Sequence, residues 1–325
     1  MKNKLCSIAL ALLAGTTLPT TLHAAPLKVG YSDWPGYTIM EIAKQKGWFK
    51  EAGLDVEMVW FEYSPSLDAL SAGKIDADML VASDALVIGA TGAKSKIVTL
   101  LDYTDGNDMV IGAPGITSMK DLKGKKIGVE LTLVDHLLLL EGLKQNGMTQ
   151  KDVVLVGTAT DKTPQALASG QVSAVAAWYP ISGQALTQVP GSTKLFTSAQ
   201  APGLIYDVLA VNPASYAAHK EDWAKFTAIY YKCVDFLKDP KTRAEGAAIM
   251  AAKVGVDPAV YEKNLPGTHF LTLAEAKKTI QKGPGLDSIY GSMKVSDDFN
   301  LANGVYKEPQ KATSYVAPSI IENLK

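Results

Sequence analysis

The segment LDALSAGKIDADML (67–80) returns later in the chain as PQALASGQVSAVAAW (164–178). Each copy reads as a short helix, a glycine stop (Gly73, Gly170) and an apolar run of strand length. Upstream of the first copy lie an apolar strand at 27–30, a helix at 38–46 halted by Gly47, and a second strand, LDVEMVWF (54–61). Ser64-Pro65-Ser66 then reads as the start of the first copy's helix. The second copy has the same prelude: KKIGVEL (125–131), the helix DHLLLLEGLKQNG (135–147) and the strand VVLVGT (153–158). Strands alternating with helices in this way pair in parallel, because each parallel neighbour requires a crossover connection, and the sheet is then covered by helices. The expected fold is therefore α/β and two-lobed, each lobe a mostly parallel sheet with flanking helices.

Two segments join the halves. LDYTDGNDMVIGAP (101–114) and PGLIYDVLAVNP (202–213) are extended apolar runs bounded by Gly or Pro, suited to carrying the chain from lobe to lobe and back, and they are the hinge candidates. This predicts a discontinuous first lobe at 26–105 and 208–325 and a second lobe at 106–207. The strongly helical tail after Asn212 is expected to brace the first lobe. Cys233, within the helical pattern WAKFTAIYYKCVDFLKDP (223–240), is expected to be a buried small hydrophobe.

Ahead of all this, Lys2 and Lys4, an apolar run at 5–13 and the stretch ending Leu22-His23-Ala24-Ala25 read as a secretory signal peptide over 1–25. The run is too short to span a bilayer, which takes roughly 20 residues. Removing this leader takes away two lysines and no acids, moving the net charge from −1 to −3. No Lys/Arg-rich block occurs, so neither nucleic acid nor an anionic membrane surface is an expected partner. One cysteine outside the leader excludes an intramolecular disulfide.

In open α/β sheets a ligand binds beyond the carboxyl ends of the strands. The loops at those ends carry the acids Asp33, Asp84, Asp105, Asp108, Glu130, Asp135 and Asp207 and the aromatics Trp34, Tyr37, Tyr63, Trp178, Tyr179 and Tyr206. Basic residues are nearly missing there: Lys162 is the one lysine in these loops, and the chain's only arginine, Arg243, belongs to a C-terminal helix. Oxyanion sites favour arginine forks or helix N-termini free of carboxylates, whereas an acid beside an aromatic face suits a cation or a solute rich in N–H donors. A plainer reading makes Asp33, Asp84 and Asp135 helix N-caps. His136 is either an orienter of Glu130 or Asp135 or a partner in a structural hydrogen bond. Trp178 is expected in the cleft wall, Trp48, Trp60 and Trp223 in the core, and Asp76 and Asp78 at the turn and edge of their strand.

The motifs AKQKGWFKEAGLDV (43–56), LDALSAGKIDA (67–77), DLKGKKIGV (121–129) and SGQVSAVAAWYP (169–180) resemble those of the periplasmic solute-binding proteins of ABC importers, in the nitrate/sulfonate/taurine branch. GYSDWPG (30–36) and GNDM (106–109) look like a subgroup associated with urea carboxylase and guanidine breakdown. The resemblance implies a type II periplasmic binding fold, no catalysis, no cofactor, a monomer located in the periplasm, and a membrane permease with a cytosolic ATPase as partners. It places the ligand among Asp33, Trp34, Ser83, Asp84, the stretch Glu130 to His136 with Asp135, and Trp178. With Tyr37, Asp108 and Asp207 from the strand-end loops, this completes the expected ligand-binding set. Members that bind nitrate or sulfonate offer small hydroxyl or amide donors where this chain has Asp33, Glu130 and Asp135, so the expected solute is a small nitrogenous cation of guanidine type. The alternatives are nitrate, an aliphatic sulfonate, taurine or a thiamine-pyrimidine precursor. An enzyme of a related pyrimidine-synthesis family is the rival class; it would want a cleft nucleophile or cofactor lysine, and the scattered histidines and Cys233 supply none. No His/Cys cluster has metal-ligand spacing.

Overall fold

A computed structural model describes residues 25–325. The signal peptide expected at 1–25 falls, but for its last residue, outside the described residues. Eleven strands are present: β1 (Leu27–Tyr31), β2 (Val56–Trp60), β3 (Ala77–Val81), β4 (Lys96–Thr104), β5 (Met109–Gly112), β6 (Lys126–Val129), β7 (Val154–Gly157), β8 (Ala174–Ala177), β9 (Thr193–Thr197), β10 (Tyr206–Val211) and β11 (Thr268–Phe270).

They form two sheets, ordered β11-β4-β10-β3-β1-β2 and β7-β6-β8-β5-β9. Within the first, β1 is parallel to β2 and β3, while β10 runs antiparallel to β3 and β4. In the second, β6 is parallel to β7 and β8, and β5 antiparallel to β8 and β9. The β1-β2-β3 and β6-β7-β8 units are thus topological copies, as the repeated segment predicts. In each sheet the strand beside the last parallel member, β10 or β5, is the one that has just arrived from the other lobe. Because β10 begins at Tyr206, Tyr206 and Asp207 are paired within the first sheet.

Local chemistry accounts for the elements. The strands β3 and β8 are buried along their whole length, β8 as a continuous apolar run and β3 as one broken only by Asp78, as strands covered on both faces must be. Lys28 is the one exposed residue of β1. The helix Met40–Lys46 ends where Gly47 adopts φ 75°, a left-handed conformation that glycine enters without steric penalty. The helix Lys220–Lys238 packs on the first sheet through Trp223, Phe226 and Tyr230, all fully buried. It is pinned there by Tyr231 Oη donating to the Leu100 carbonyl at 2.9 Å and by the Thr99–Thr227 hydroxyl pair at 2.7 Å. Cys233 is buried in this same layer.

Two expectations are corrected. Trp60 is not in the core: it ends the edge strand β2, is 37% exposed, and is covered only by the edge of Tyr31 and by the Lys253 ammonium 4.3 Å from its ring. Asp78 is not at a strand edge but fully buried, since β3 lies between β1 and β10, and burial pushes its carboxyl up to about 7. Trp223 is core as expected, and Trp48 is half-buried against Phe236 beneath Lys232. No helix among the described residues is long and apolar enough to cross a membrane.

Candidate functional site

The carboxyl ends of both sets of parallel strands meet in one cleft, and the lobes touch across it. Trp178, just past β8, donates its indole N–H to Asp33 Oδ1, just past β1, at 2.9 Å. The Trp178 ring also stands edge-on to Tyr63, with centroids 5.1 Å apart. Ser64 donates to Glu130 Oε1, while Thr160 Oγ1 reaches Glu130 Oε2 at 2.7 Å and Asp135 Oδ2 at 3.2 Å.

Between these ties lies a small cavity. Trp34, Tyr37, Tyr63 and Asp207 line it from the first lobe, Val134 and Trp178 from the second, and Asp108 and Ile205 from the crossing segments. Its volume is about 10 Å³, on the order of one water molecule. In this closed arrangement a solute larger than a few atoms fits only if the walls move apart.

Carboxylates surround the cavity in two layers. Asp207 accepts from the Tyr37 hydroxyl, and Asp108 from the Thr104 hydroxyl. Asp84 accepts from Tyr63 Oη at 2.7 Å and from Ser83 Oγ at 3.2 Å. Asp102 accepts the Trp34 indole N–H at 2.9 Å and sits opposite Asp207 in the β4–β10 register. Among the described residues none of Asp33, Asp84, Asp102, Asp108, Glu130, Asp135 and Asp207 forms an ion pair. Lys162 pairs instead with Asp161 at 2.6 Å, and Arg243 with Glu262 at 3.2 Å.

Burial without a countercharge disfavours the ionised form of a carboxylic acid. It raises Asp33 to about 6 against the opposing indole bond of Trp178, and Asp84, Asp102 and Asp108 to about 7. Asp207 is driven well above the usual carboxylate range by burial and then by Asp102, and Asp135 by burial and then by Asp108 and Glu130. Oδ1 of Asp135 and Oδ2 of Asp102 are buried with no hydrogen-bond partner.

The cap reading of the three aspartates does not describe the structure. Trp34, Val81 and Leu133 hold the N-cap positions of the helices Pro35–Thr38, Ala82–Ala90 and Val134–Gln145, with no side-chain cap bond. Asp84 and Asp135 lie inside the first turn, and Asp33 turns to Trp178. Of the expected set, Trp34, Tyr37, Asp108, Trp178 and Asp207 line the cavity. Asp33, Ser83, Asp84, Glu130 and Asp135 stand around it, in contact with its walls or across the lobe boundary. His136 bonds neither Glu130 nor Asp135; its Nδ1 accepts from the Thr132 amide at 3.2 Å, and burial lowers its basicity. Thr132 sits at φ 71°, unusual for a β-branched residue, so His136 steadies a strained turn directly behind Glu130.

Asp102, Ser64 and Thr160 were not expected. Asp102 had a visible signal, an acid inside the apolar run KIVTLLDYT of β4. Ser64 and Thr160 had no signal beyond their place in strand-end loops: Ser64 meets Glu130 only where the lobes touch, and Thr160 meets Glu130 and Asp135 only where the loops after β6 and β7 pack together. No group of three or more His, Cys, Asp or Glu side chains among the described residues is placed to hold a metal ion.

Comparison with known proteins fits this architecture. Residues 34–243 match the model of the family described as NMT1/THI5 like. A chain of Brucella abortus named as a binding protein is 31% identical over 93% of this chain and 94% of its own. A Bacillus subtilis chain named as an aliphatic sulfonates-binding protein is 26% identical over 70% of each. Among solved structures, the alkanesulfonate-binding protein SsuA of Xanthomonas axonopodis pv. citri, bound to MOPS, superposes with a TM-score of 0.75 at 21% identity, covering 91% of this chain and 100% of that one. The desulfurization enzyme DSZB shares the fold more distantly, at TM-score 0.64 and 15% identity over 92% of this chain and 98% of that one. The fold is the two-lobed one of the periplasmic binding proteins, and by the family match over more than half its length and its likeness to the Brucella chain over nearly all of it, this chain belongs to the NMT1/THI5-like family.

Proposed function

We propose that the protein is the solute-binding subunit of an ABC importer, working as a monomer in the periplasm, and that it closes its lobes on a small nitrogenous cation of guanidinium type for delivery to a permease with a cytosolic ATPase. One observation carries this reading: a cavity walled by indole and phenol rings and ringed by seven carboxyl groups, none of them ion-paired among the described residues. A cation bearing N–H donors brings to that ring the charge and donors it lacks, and its faces stack on the aromatic walls. The division into lobes belongs to the same proposal: the expected bounds, 26–105 with 208–325 and 106–207, move by two residues at the second crossing, because Tyr206 and Asp207 pair within the first sheet, and the crossing strands are the hinge. The names of the relatives favour binding over catalysis, and no cleft residue is an activated Cys, Ser or Lys nucleophile.

A sulfonate is the second reading, because relatives are named for sulfonates. It must bring an oxyanion among acids with no arginine or lysine at hand, so no positive charge offsets its own and every acid that ionises repels it. Nitrate and taurine meet the same objection, and a pyrimidine precursor would need the walls to move further apart than a guanidinium does. A thermal-shift screen separates the readings. Guanidinium should raise the melting temperature by several degrees, since a ligand at a hundredfold excess over its Kd stabilises the native state by about 2.7 kcal/mol. Urea, taurine, nitrate, methanesulfonate and the thiamine pyrimidine should leave it unmoved. Stabilisation by an oxyanion and not by guanidinium would discard the cationic reading.

The tie from Ser64 to Glu130 joins the lobes away from the cavity wall. Ser64→Ala should therefore weaken binding by about fivefold, the worth of one hydrogen bond of about 1 kcal/mol. The loss should appear as faster release measured by stopped flow. An unchanged dissociation rate would show that this contact does not hold the closed state.

A further inference from the structure

We infer that the cleft takes up its cation in exchange for protons, so that it separates a planar cation from a neutral solute of the same shape by charge and releases the cation as the pH falls. The inference rests on the cationic reading above. Its ground is the arrangement of groups around the cavity. Acids and phenols reach the cleft from most of the elements around it: Asp33 and Tyr37 after β1, Tyr63 after β2, Asp84 after β3, Asp102 on β4, Asp108 ahead of β5, Glu130 and Asp135 after β6, and Asp207 on β10, with Thr160 after β7 and Trp178 after β8 supplying a hydroxyl and an indole instead.

Behind these, the Tyr230 phenol faces Asp102 and Asp207, and on the rim Glu62 and Asp161 face Asp33. His136 is turned to Thr132 and Phe299, and Lys162 to Asp161. Among the described residues nothing positive enters the ring. Independently of the clustering, Asp135 is fully buried and its Oδ1 has no donor, as does Oδ2 of Asp102. A carboxylate oxygen shut away from water without a donor is costly, and the group then either keeps a proton or receives an N–H from a ligand.

The raised acidities of Asp84, Asp108, Asp135 and Asp207 agree with a ring that holds protons at neutral pH. A guanidinium, with N–H groups on all sides and a full charge, draws these acids into the ionised form, and each that ionises sends one proton to solvent. Urea has the same planar outline but no charge, so it lacks the attraction that makes ionising these acids favourable.

The sign for stability follows. Acids that stay protonated in the fold until about pH 7, but ionise near 4 when unfolded, leave the native state with more protons bound in between. Without ligand, stability should then be fullest below about pH 4 and fall as pH rises through about 7, while ligand affinity climbs over the same range.

Calorimetry with guanidinium chloride at about pH 7, in buffers of different ionisation enthalpy, counts the protons. At least one should be released per guanidinium bound, and affinity should fall about tenfold per pH unit per proton between about pH 7 and about pH 5, with urea showing no binding. The protein without ligand should melt at progressively lower temperature from about pH 5 to about pH 8, and Asp135→Asn should flatten that slope and lower the proton count; Asp84→Asn serves the same purpose if Asp135→Asn does not fold. Guanidinium binding with no proton release and one affinity at both pH values would overturn the exchange and leave the cationic reading standing. A melting temperature that rises over that range in the ligand-free protein would overturn it as well. Failure to bind guanidinium at any pH removes the cationic reading and the exchange together.

Discussion

Asp207→Asn should abolish most of the affinity for a cationic solute while making the protein without ligand more stable. The carboxyl lines the cavity, accepts from the Tyr37 hydroxyl and lies opposite Asp102 across the β4–β10 pair. Truncating one partner of a buried charge pair costs about 2 to 5 kcal/mol, roughly 30-fold or more in Kd. Stability should move the other way. The amide oxygen of asparagine still accepts from Tyr37, and its N–H₂ offers Asp102 Oδ2 a donor that does not depend on the neighbouring acid keeping a proton. A hydrogen bond to a charged acceptor contributes about 1.5 to 3 kcal/mol, so a gain of at least about 1 kcal/mol is expected. Titration calorimetry and thermal melts read the two quantities separately. Asp257→Asn is the control. Asp257 caps the helix Pro258–Asn264 through the amides of Ala259 and Val260, and asparagine caps as well as aspartate, so neither quantity should change. If Asp207→Asn binds guanidinium as tightly as the parent, the ligand does not reach this carboxylate.

The second large effect is expected at Gly36. It lies in the first helical turn after β1, and a Cβ placed there would fall within the van der Waals envelope of the Asp102 carboxylate and 2.9 Å from Trp34 Nε1. Asp102 is held by its strand and cannot retreat without releasing the Trp34 indole. Gly36→Ala should therefore destabilise the fold by about 3 kcal/mol, combining overpacking with a broken buried hydrogen bond. Binding should fail too, because the displaced indole is a cavity wall. Denaturant unfolding measures the first effect. The double variant Gly36→Ala/Asp102→Ala restores room and should recover part of the stability, a coupling that two independent sites would not show. If Gly36→Ala alone unfolds like the parent, the close approach of Gly36 to Asp102 is not a constraint on the first lobe.

The elements and their order were legible in the residues because the signals are local. Gly47, Gly73 and Gly170 stop helices, the run at β8 is apolar throughout and that at β3 is apolar but for Asp78, and each parallel strand needs a crossover, so the repeat at 67–80 and 164–178 implies two matching sheets. Half the site was legible for the same reason. Strand ends can be read along the chain, and Trp34, Tyr37, Asp108, Trp178 and Asp207 all sit at them and line the cavity. The environment of each group was not legible. Trp60 follows the strand pattern of its neighbours yet lies outside the core, because β2 is an edge strand, and Asp78 is deep, because β10 returns to pair with β3.

By itself, then, the sequence determined the parallel α/β halves, the double crossing between them and the excess of acid over base at the strand ends. Tertiary structure alone decided which carboxylates share a field. The β4–β10 register brings Asp102 opposite Asp207, and the meeting of the lobes brings Ser64 to Glu130 and Trp178 to Asp33. The reason is that helix and strand periodicity is written between near neighbours, whereas burial and the repulsion of like charges depend on distances between residues far apart in the chain.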